Sequence, residues 1–368
     1  MRPFDLYVRN VFVLAMAVAG LSLHSTAQGQ SRVEIYGIVD SGVAYVSNQG
    51  GSSAIAVVGG GGDRPNRIGF RGSEDLGGGL RANFVLENGF NVATGGLGQG
   101  GLLFGRQAYV ALQDSQLGEI RVGRQYDFMI DLVPYTAAAS GNGGFYSFHL
   151  GDLDRLGGER LNNSVQYRTP NVAGLQAGVL YSFGGVAGDF SRNSARSFGA
   201  TYKYGSFQAG AAYTSVNNFQ AGLGAGVSVL GNSLVGPPVN ANFDRIDVYG
   251  AGASYQFDKL YTAALFTSSS LRKGGGSAIL RAYDIGATYQ VMPATFVGAA
   301  LTYYTMSPNR WIVPSASVDY DFSKRTNVYL QFVSMHVSGP NAVAELFVLP
   351  ASASRSQTAI TIGMRHNF

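Results

Sequence analysis

From Val33 onward the chain repeats one unit: eight to thirteen residues in which apolar and polar side chains alternate, a short turn, a second such run, then a longer segment rich in Gly, Ser and Asn. Alternation with a period of two belongs to strands whose two faces meet different surroundings. Sixteen such runs can be counted, from 33–47 at the start to 355–368 at the end, with others over 66–75, 102–113, 281–291 and 313–320. The short links between them, such as 76–79, 115–117, 171–173, 204–205 and 322–323, alternate with long ones over 48–65, 126–159, 216–243, 269–280 and 337–354. This rhythm predicts an all-β fold, a 16-stranded antiparallel transmembrane β-barrel with its short turns in the periplasm and its long loops outside. At 126–159 the longest link exceeds what a connector needs, so a role of its own is expected for it.

Composition separates a membrane barrel from a soluble sandwich. Charged residues make up 13% of the chain, about half the usual share, while Gly supplies 52 of 368 residues. Aromatic residues are plentiful, with 21 Tyr and 22 Phe against one Trp. A barrel accounts for all of this: its outer face is apolar, its rims take aromatic rings, and Gly serves tight turns and close approaches. Cysteine is absent, so hydrogen bonding and packing must hold the fold, and a closed sheet gives every strand two neighbours. The formal charge of +4 arises from 22 Arg and 4 Lys scattered along the chain, without the clustered patch that nucleic acid requires.

The first 27 residues read as a secretory signal peptide: Arg2 and Arg9 precede the apolar stretch Val11 to Leu23, and Ser25, Thr26 and Ala27 supply small residues for cleavage. About 13 apolar residues are too few to span a bilayer as a helix. Residues 28–368 are then the barrel, exported to the outer membrane.

Face by face, the alternation assigns a lipid side and a lumen side. Ala82, Phe84 and Leu86 alternate with Arg81, Asn83 and Glu87; Val328, Leu330 and Phe332 alternate with Asn327, Tyr329 and Gln331. The inner face therefore reads as hydrophilic, which suits a water-filled channel.

VEIYGIVDSGVAY (33–45), RIGFRGSEDLGGGLRANFVLENGF (67–90), LFGRQAYVAL (103–112), EIRVGRQYD (119–127), NSVQYRTPNVAGLQ (163–176) and the closing ITIGMRHNF occur in an order and spacing that resemble the proteobacterial trimeric general porins. The resemblance covers essentially the whole chain after residue 27. It implies a homotrimer of 16-stranded barrels for passive diffusion of ions and small hydrophilic solutes. It also implies that the third extracellular loop, here about 126–159, folds inward and narrows the lumen. The terminal Phe368 would be read by the barrel-insertion machinery.

The same resemblance places Arg67, Arg106 and Arg160 on a basic wall at the constriction. Alternation independently puts Arg67 opposite Ile68 and Phe70, and puts Arg160 in phase with Ser164, Gln166 and Arg168; it does not orient Arg106. Arg71, Arg81 and Arg121 also read as inward, with Glu87 and Glu119 as partial counter-charges. The loop's tip, AAASGNGGFYSF (137–148), lacks the carboxylates that relatives often carry there, leaving Asp131, Asp152 and Asp154 on its flanks. A basic wall facing a neutral tip predicts a preference for anions. Replacing the three arginines with neutral residues is then expected to weaken that preference and leave folding intact.

Two other functions make specific demands on the sequence. A substrate-specific channel needs a ladder of lumen aromatics, for which Phe145, Tyr146 and Phe148 are candidates. A barrel enzyme needs a nucleophile beside His149 or His336, and none is evident. No cofactor motif is present, and no His pair stands at metal-ligand spacing.

Overall fold

The computed structural model describes residues 32–368, so the leader read over 1–27 lies outside the described residues. Seventeen strands form one antiparallel sheet that closes on itself. Strand Arg32–Gln49 makes the seam. One edge pairs with the last strand, Ser356–Asn367, from Ile38↔Asn367 to Val46↔Ala359, and the other edge pairs with Arg67–Gly77. Beyond Ile38 that second edge is taken over by the short strand Ser52–Val57, which runs from Val43↔Val57 to Gln49↔Ser52. This arm and Arg67–Gly77 fill one column of the sheet, so sixteen columns surround the interior. Gly37 and Phe368 exchange two backbone hydrogen bonds of 3.0 and 3.1 Å and lock the seam. Closure removes the edges that an open sheet would leave unpaired.

The alternation holds in the wall. Val110, Leu112, Leu330 and Ile362 are exposed on the outer face, while Glu87, Asn327, Tyr329 and Gln331 are buried inside. Several boundaries differ from the pattern. The run 102–113 enters the sheet only at Gln107, and the loop read over 48–65 contains Ser52–Val57. The stretch 269–280 is not a loop. Strands Leu260–Lys273 and Gly276–Met292 pair as far as Lys273↔Gly276, and Gly274 (φ 56°) and Gly275 (φ 83°) form a two-residue turn with left-handed backbone at both positions. Its Ser- and Gly-rich composition resembled a loop because these residues continue the hairpin with small side chains.

The segment 127–159 lies against the inner wall in four short helical turns, Phe128–Tyr135, Ala137–Ser140, Phe145–Ser147 and Leu150–Asp152. It explains a departure from the expected hydrophilic interior. Phe128, Met129, Leu132, Leu150, Leu153 and Leu156 form one buried cluster with the inward-facing wall residues Leu265, Leu271, Tyr304 and Trp311. The far side of the barrel is therefore a packed apolar core, and water is left to the side built from the early strands. Each such side chain contributes about 1.5–3 kcal/mol when buried, enough together to hold the segment in place.

Contact this close requires glycine on the wall. A Cβ at Gly298 would sit 2.1 Å from the backbone oxygen of Gly141, and this carbonyl also accepts from Ser317 Oγ at 3.2 Å. Gly298→Val is expected to push residues 137–141 off the wall at a cost of about 1–3 kcal/mol. Denaturant titration should show the loss, and an unchanged midpoint would mean that the segment yields freely.

Candidate functional site

Where the inserted segment returns to the wall, it faces an open cavity of about 330 Å³ bordered by Pro65, Gln99, Arg106, Asp152, Glu159 and Arg160. Tyr126, the last residue of strand Gly118–Tyr126, ties two of the predicted arginines together. Its hydroxyl accepts from Arg106 Nη2 at 2.8 Å and from Arg160 Nη2 at 3.0 Å, and the Arg160 guanidinium lies 4.7 Å from the centre of its ring. Arg67, at the start of strand Arg67–Gly77, donates from Nε to the Pro65 carbonyl at 3.1 Å and lies within charge–charge range of Arg106 and Glu87. The three arginines are thus brought together.

They are not equivalent. Arg106 is 5% exposed and pairs with Glu87, itself 3% exposed, at 2.6 Å. It precedes strand Gln107–Asp114, so strand parity could not orient it; its backbone N–H instead donates to the Glu87 carbonyl and turns the side chain inward. Among the described residues Arg67 and Arg160 form no ion pair. The parity linking Arg160 to Ser164 fails at a register shift opposite Gly123 and Gln125 and at the left-handed Asn163. Arg160 is held at the cavity by Tyr126, a residue to which the pattern gave no role.

Three further predicted arginines sit nearer the short-turn end. Arg71 pairs with Glu34 at 2.5 Å and lies over the Tyr36 ring. Arg121 pairs with Glu119 at 2.8 Å and lies over Tyr109. Arg81 is exposed opposite Asp75.

Most of the segment's acids are taken up by partners. Asp131 forms a two-point pair with Arg168 at 3.0 and 3.1 Å. Asp127 pairs with Arg155, and burial nevertheless pushes its carboxyl up. Asp152 borders the cavity but is 6% exposed; burial, reinforced by Glu159 and Asp154, raises its pKa well above the ordinary carboxylate value. Asp154 does not reach the lumen at all. It is 1% exposed and bonded to His149 Nδ1 and to Thr267 Oγ1. Only Glu159 remains exposed and without an ion pair.

His149 is a clamp that the pattern did not reveal. Its Nε2 meets Asp284 of the opposite wall at 2.7 Å while Nδ1 meets Asp154 of its own segment. Burial alone would depress the imidazole, but the two carboxylates outweigh it and raise its pKa well above 6.5. Both ring nitrogens are occupied, and His336 is exposed on the outer face. A second anchor runs through Asp40, fully buried, whose carboxylate accepts from the backbone N–H groups of Gly62, Asp63 and Arg64 and from Tyr329. The Gly62 carbonyl in turn accepts from the Phe145 N–H at 2.8 Å. The one signal for Asp40 was a carboxylate inside an otherwise apolar run. Phe145 packs on Phe148 and Phe347, with centroids 5.8 and 5.0 Å away, forming a compact knot in place of a ladder.

A family model described as Gram-negative porin matches residues 13–340. The chain is 28% identical to outer membrane porin protein 32 of Delftia acidovorans, over 96% of this chain and 99% of that one. It is 27% identical to an outer membrane porin protein of Bordetella pertussis, over 98% of this chain and 100% of that one. Among solved structures, an anion-selective porin from Comamonas acidovorans aligns with a TM-score of 0.75 at 27% identity, covering 92% of this chain and 100% of that one. OmpT of Vibrio cholerae aligns with a TM-score of 0.66 at 14% identity, a likeness of fold alone.

Proposed function

The chain belongs to the Gram-negative porin family, and from that premise we propose that its outer-membrane channel favours small anions, with residues 127–159 as the constriction and Arg67, Arg106 and Arg160 as its basic wall. One observation carries the reading: Arg67 and Arg160 have no carboxylate partner among the described residues, whereas Asp127, Asp131 and Asp154 are each paired and Asp152 is buried. Fixed positive charge beside a narrow aqueous path raises the local concentration of anions. The printed description of the Comamonas acidovorans relative as anion-selective agrees with this sign.

A trimer is part of the proposal. The outer face has two sectors. Between Tyr167 and Phe322 it carries exposed aromatic rings near both rims, as lipid-facing barrels do. The sector around the seam is chiefly aliphatic, with Val33, Ile35, Ile55, Val110, Leu112 and Ile362 exposed, and it contains an apolar hollow of about 500 Å³ floored by Phe84, Val110 and Val122. Its exposed rings are few, Tyr45, Phe70, Phe332 and Phe368, and a face so poor in aromatics suits subunit contact better than lipid.

The test is a planar-bilayer recording of purified protein in a tenfold potassium chloride gradient. The expected reversal potential has the sign of chloride preference and shrinks as salt screens the wall, the Debye length being about 10 Å at 0.1 M and about 3 Å at 1 M. Steps in groups of three support the trimer. Preference for potassium would overturn the assignment of sign and point to Glu159 as the dominant charge.

A further inference from the structure

The outer wall carries a second basic array that the channel does not use. Six outward aromatic side chains run across neighbouring strands, Phe198, Tyr213, Tyr249, Phe266, Tyr283 and Tyr303, several in ring contact with centroids 5.1–6.3 Å apart. Just beyond this belt, toward the rim bearing the long segments, the same strands present Arg196, Arg245, Arg272 and Arg281, and the next strand, Asn309–Asp321, presents Arg310. Arg196 and Arg281 precede Phe198 and Tyr283 by two residues along the strand, about 7 Å. Four of the five are exposed, and Arg245 is half-buried.

The array is under-neutralised. Arg245 and Arg272 stand directly opposite each other in the sheet, a like-charge arrangement that is unfavourable by itself. One carboxylate, Asp247, serves both at 2.5 and 3.3 Å. Arg196, Arg281 and Arg310 have no ion-pair partner among the described residues. The outward positions between and beneath these arginines are small and hydroxylated: Ser215, Ser268, Ser270 and Ser277. They leave two adjoining hollows of about 290 and 750 Å³ that share Asn217 and Arg245.

An aromatic belt marks the boundary between acyl chains and headgroups. Arginines immediately beyond it lie at headgroup depth, where a cation is cheap and an anionic headgroup is its natural partner. Guanidinium groups bind phosphate in two-point geometry, and serine hydroxyls add donors. We infer that this belt of arginines, Arg196, Arg245, Arg272, Arg281 and Arg310, binds phosphate groups of outer-leaflet glycolipid, fixing anionic lipid around the lipid-facing sector. The inference rests on the membrane placement of the barrel but not on its ion selectivity.

The experiment uses the full-length protein in phosphatidylcholine nanodiscs doped with diphosphoryl lipid A or with its dephosphorylated form, and counts retained lipid by native mass spectrometry. Retention of the diphosphoryl form is expected to exceed that of the dephosphorylated form at least about tenfold. It should fall by a similar factor in Arg245→Gln/Arg272→Gln/Arg281→Gln, since each surface arginine near anionic lipid contributes a comparable increment. Unchanged conductance and reversal potential would show that the variant barrel is intact. If the triple variant does not insert, Arg281→Gln alone, exposed and unpaired, should show a partial loss. Equal retention of the two lipids, or equal retention by variant and parent, overturns the inference. Displacement of the lipid by millimolar inorganic phosphate also overturns it, by showing a site for free anions instead.

Discussion

Arg67→Gln combined with Arg160→Gln is expected to lower the chloride-over-potassium permeability ratio by about fivefold or more at low salt, with the barrel intact. A unit charge about 4 Å from a passing ion is worth about 1 kcal/mol even in water, roughly a factor of five in local occupancy, and more where the wall excludes solvent. Neither residue has a carboxylate partner among the described residues, so neither substitution leaves an uncompensated buried anion. Arg106 behaves differently. Its partner Glu87 is 3% exposed, and Arg106→Gln would strand that carboxylate at a cost of about 3–5 kcal/mol. The expectation that all three arginines can be neutralised with folding intact is therefore kept for Arg67 and Arg160 and revised for Arg106, because parity said nothing about what that side chain meets. Arg106→Gln/Glu87→Gln should restore most of the lost stability while removing no net charge. Reversal potentials and denaturant midpoints measured on the same preparations separate the effects; a permeability ratio unmoved by the Arg67/Arg160 double substitution would remove the basic wall from the mechanism.

What the sequence disclosed depended on whether the relevant physics is local. Strand faces were legible because lipid lies on one side of every strand, so Val328, Leu330 and Phe332 had to alternate with Asn327, Tyr329 and Gln331 whatever the rest of the chain did. The last strand, read over 355–368, was legible for the same reason. The interior was less so. Leu265, Leu271 and Trp311 point inward yet are buried, because a segment more than a hundred residues earlier in the chain lies against them. No periodicity within a strand can report that contact. Its trace was the run of inward glycines, such as Gly298, whose missing side chains make room for a backbone crossing the wall. The turn at Gly274 and Gly275 was misread because Ser and Gly serve equally in a loop and on the small-residue face of a hairpin. The arginines were found through family resemblance and parity, but Tyr126, which joins two of them, and Asp40, which fixes the turn holding Phe145, act through partners distant in the chain.

The same distance hides the clamp at His149, where the second large effect is expected. His149→Leu would leave Asp154 and Asp284 adjacent, buried and without a cation, a loss of about 3–5 kcal/mol for a broken buried pair. The barrel is closed independently by its strands, so this cost should fall on the inserted segment alone. Single-channel currents should become noisy, with frequent partial closures, and amide exchange should accelerate across 137–159 while the strands remain protected. Alkaline pH should reproduce the effect in the parent protein. The imidazole's pKa in the folded state lies well above 6.5, so the stability from the charged clamp is complete below about pH 6.5, the free imidazole value, and fades as pH rises through the folded value. Quiet channels near neutrality and noisy ones in base are therefore expected, with His149→Leu noisy throughout. The alternative is that the apolar contacts of Leu150, Leu153 and Leu156, all at most 2% exposed, suffice to hold the segment. Quiet currents and unchanged exchange in His149→Leu would establish that alternative, and would mean that the ion cluster adds geometry to the constriction without adding measurable hold.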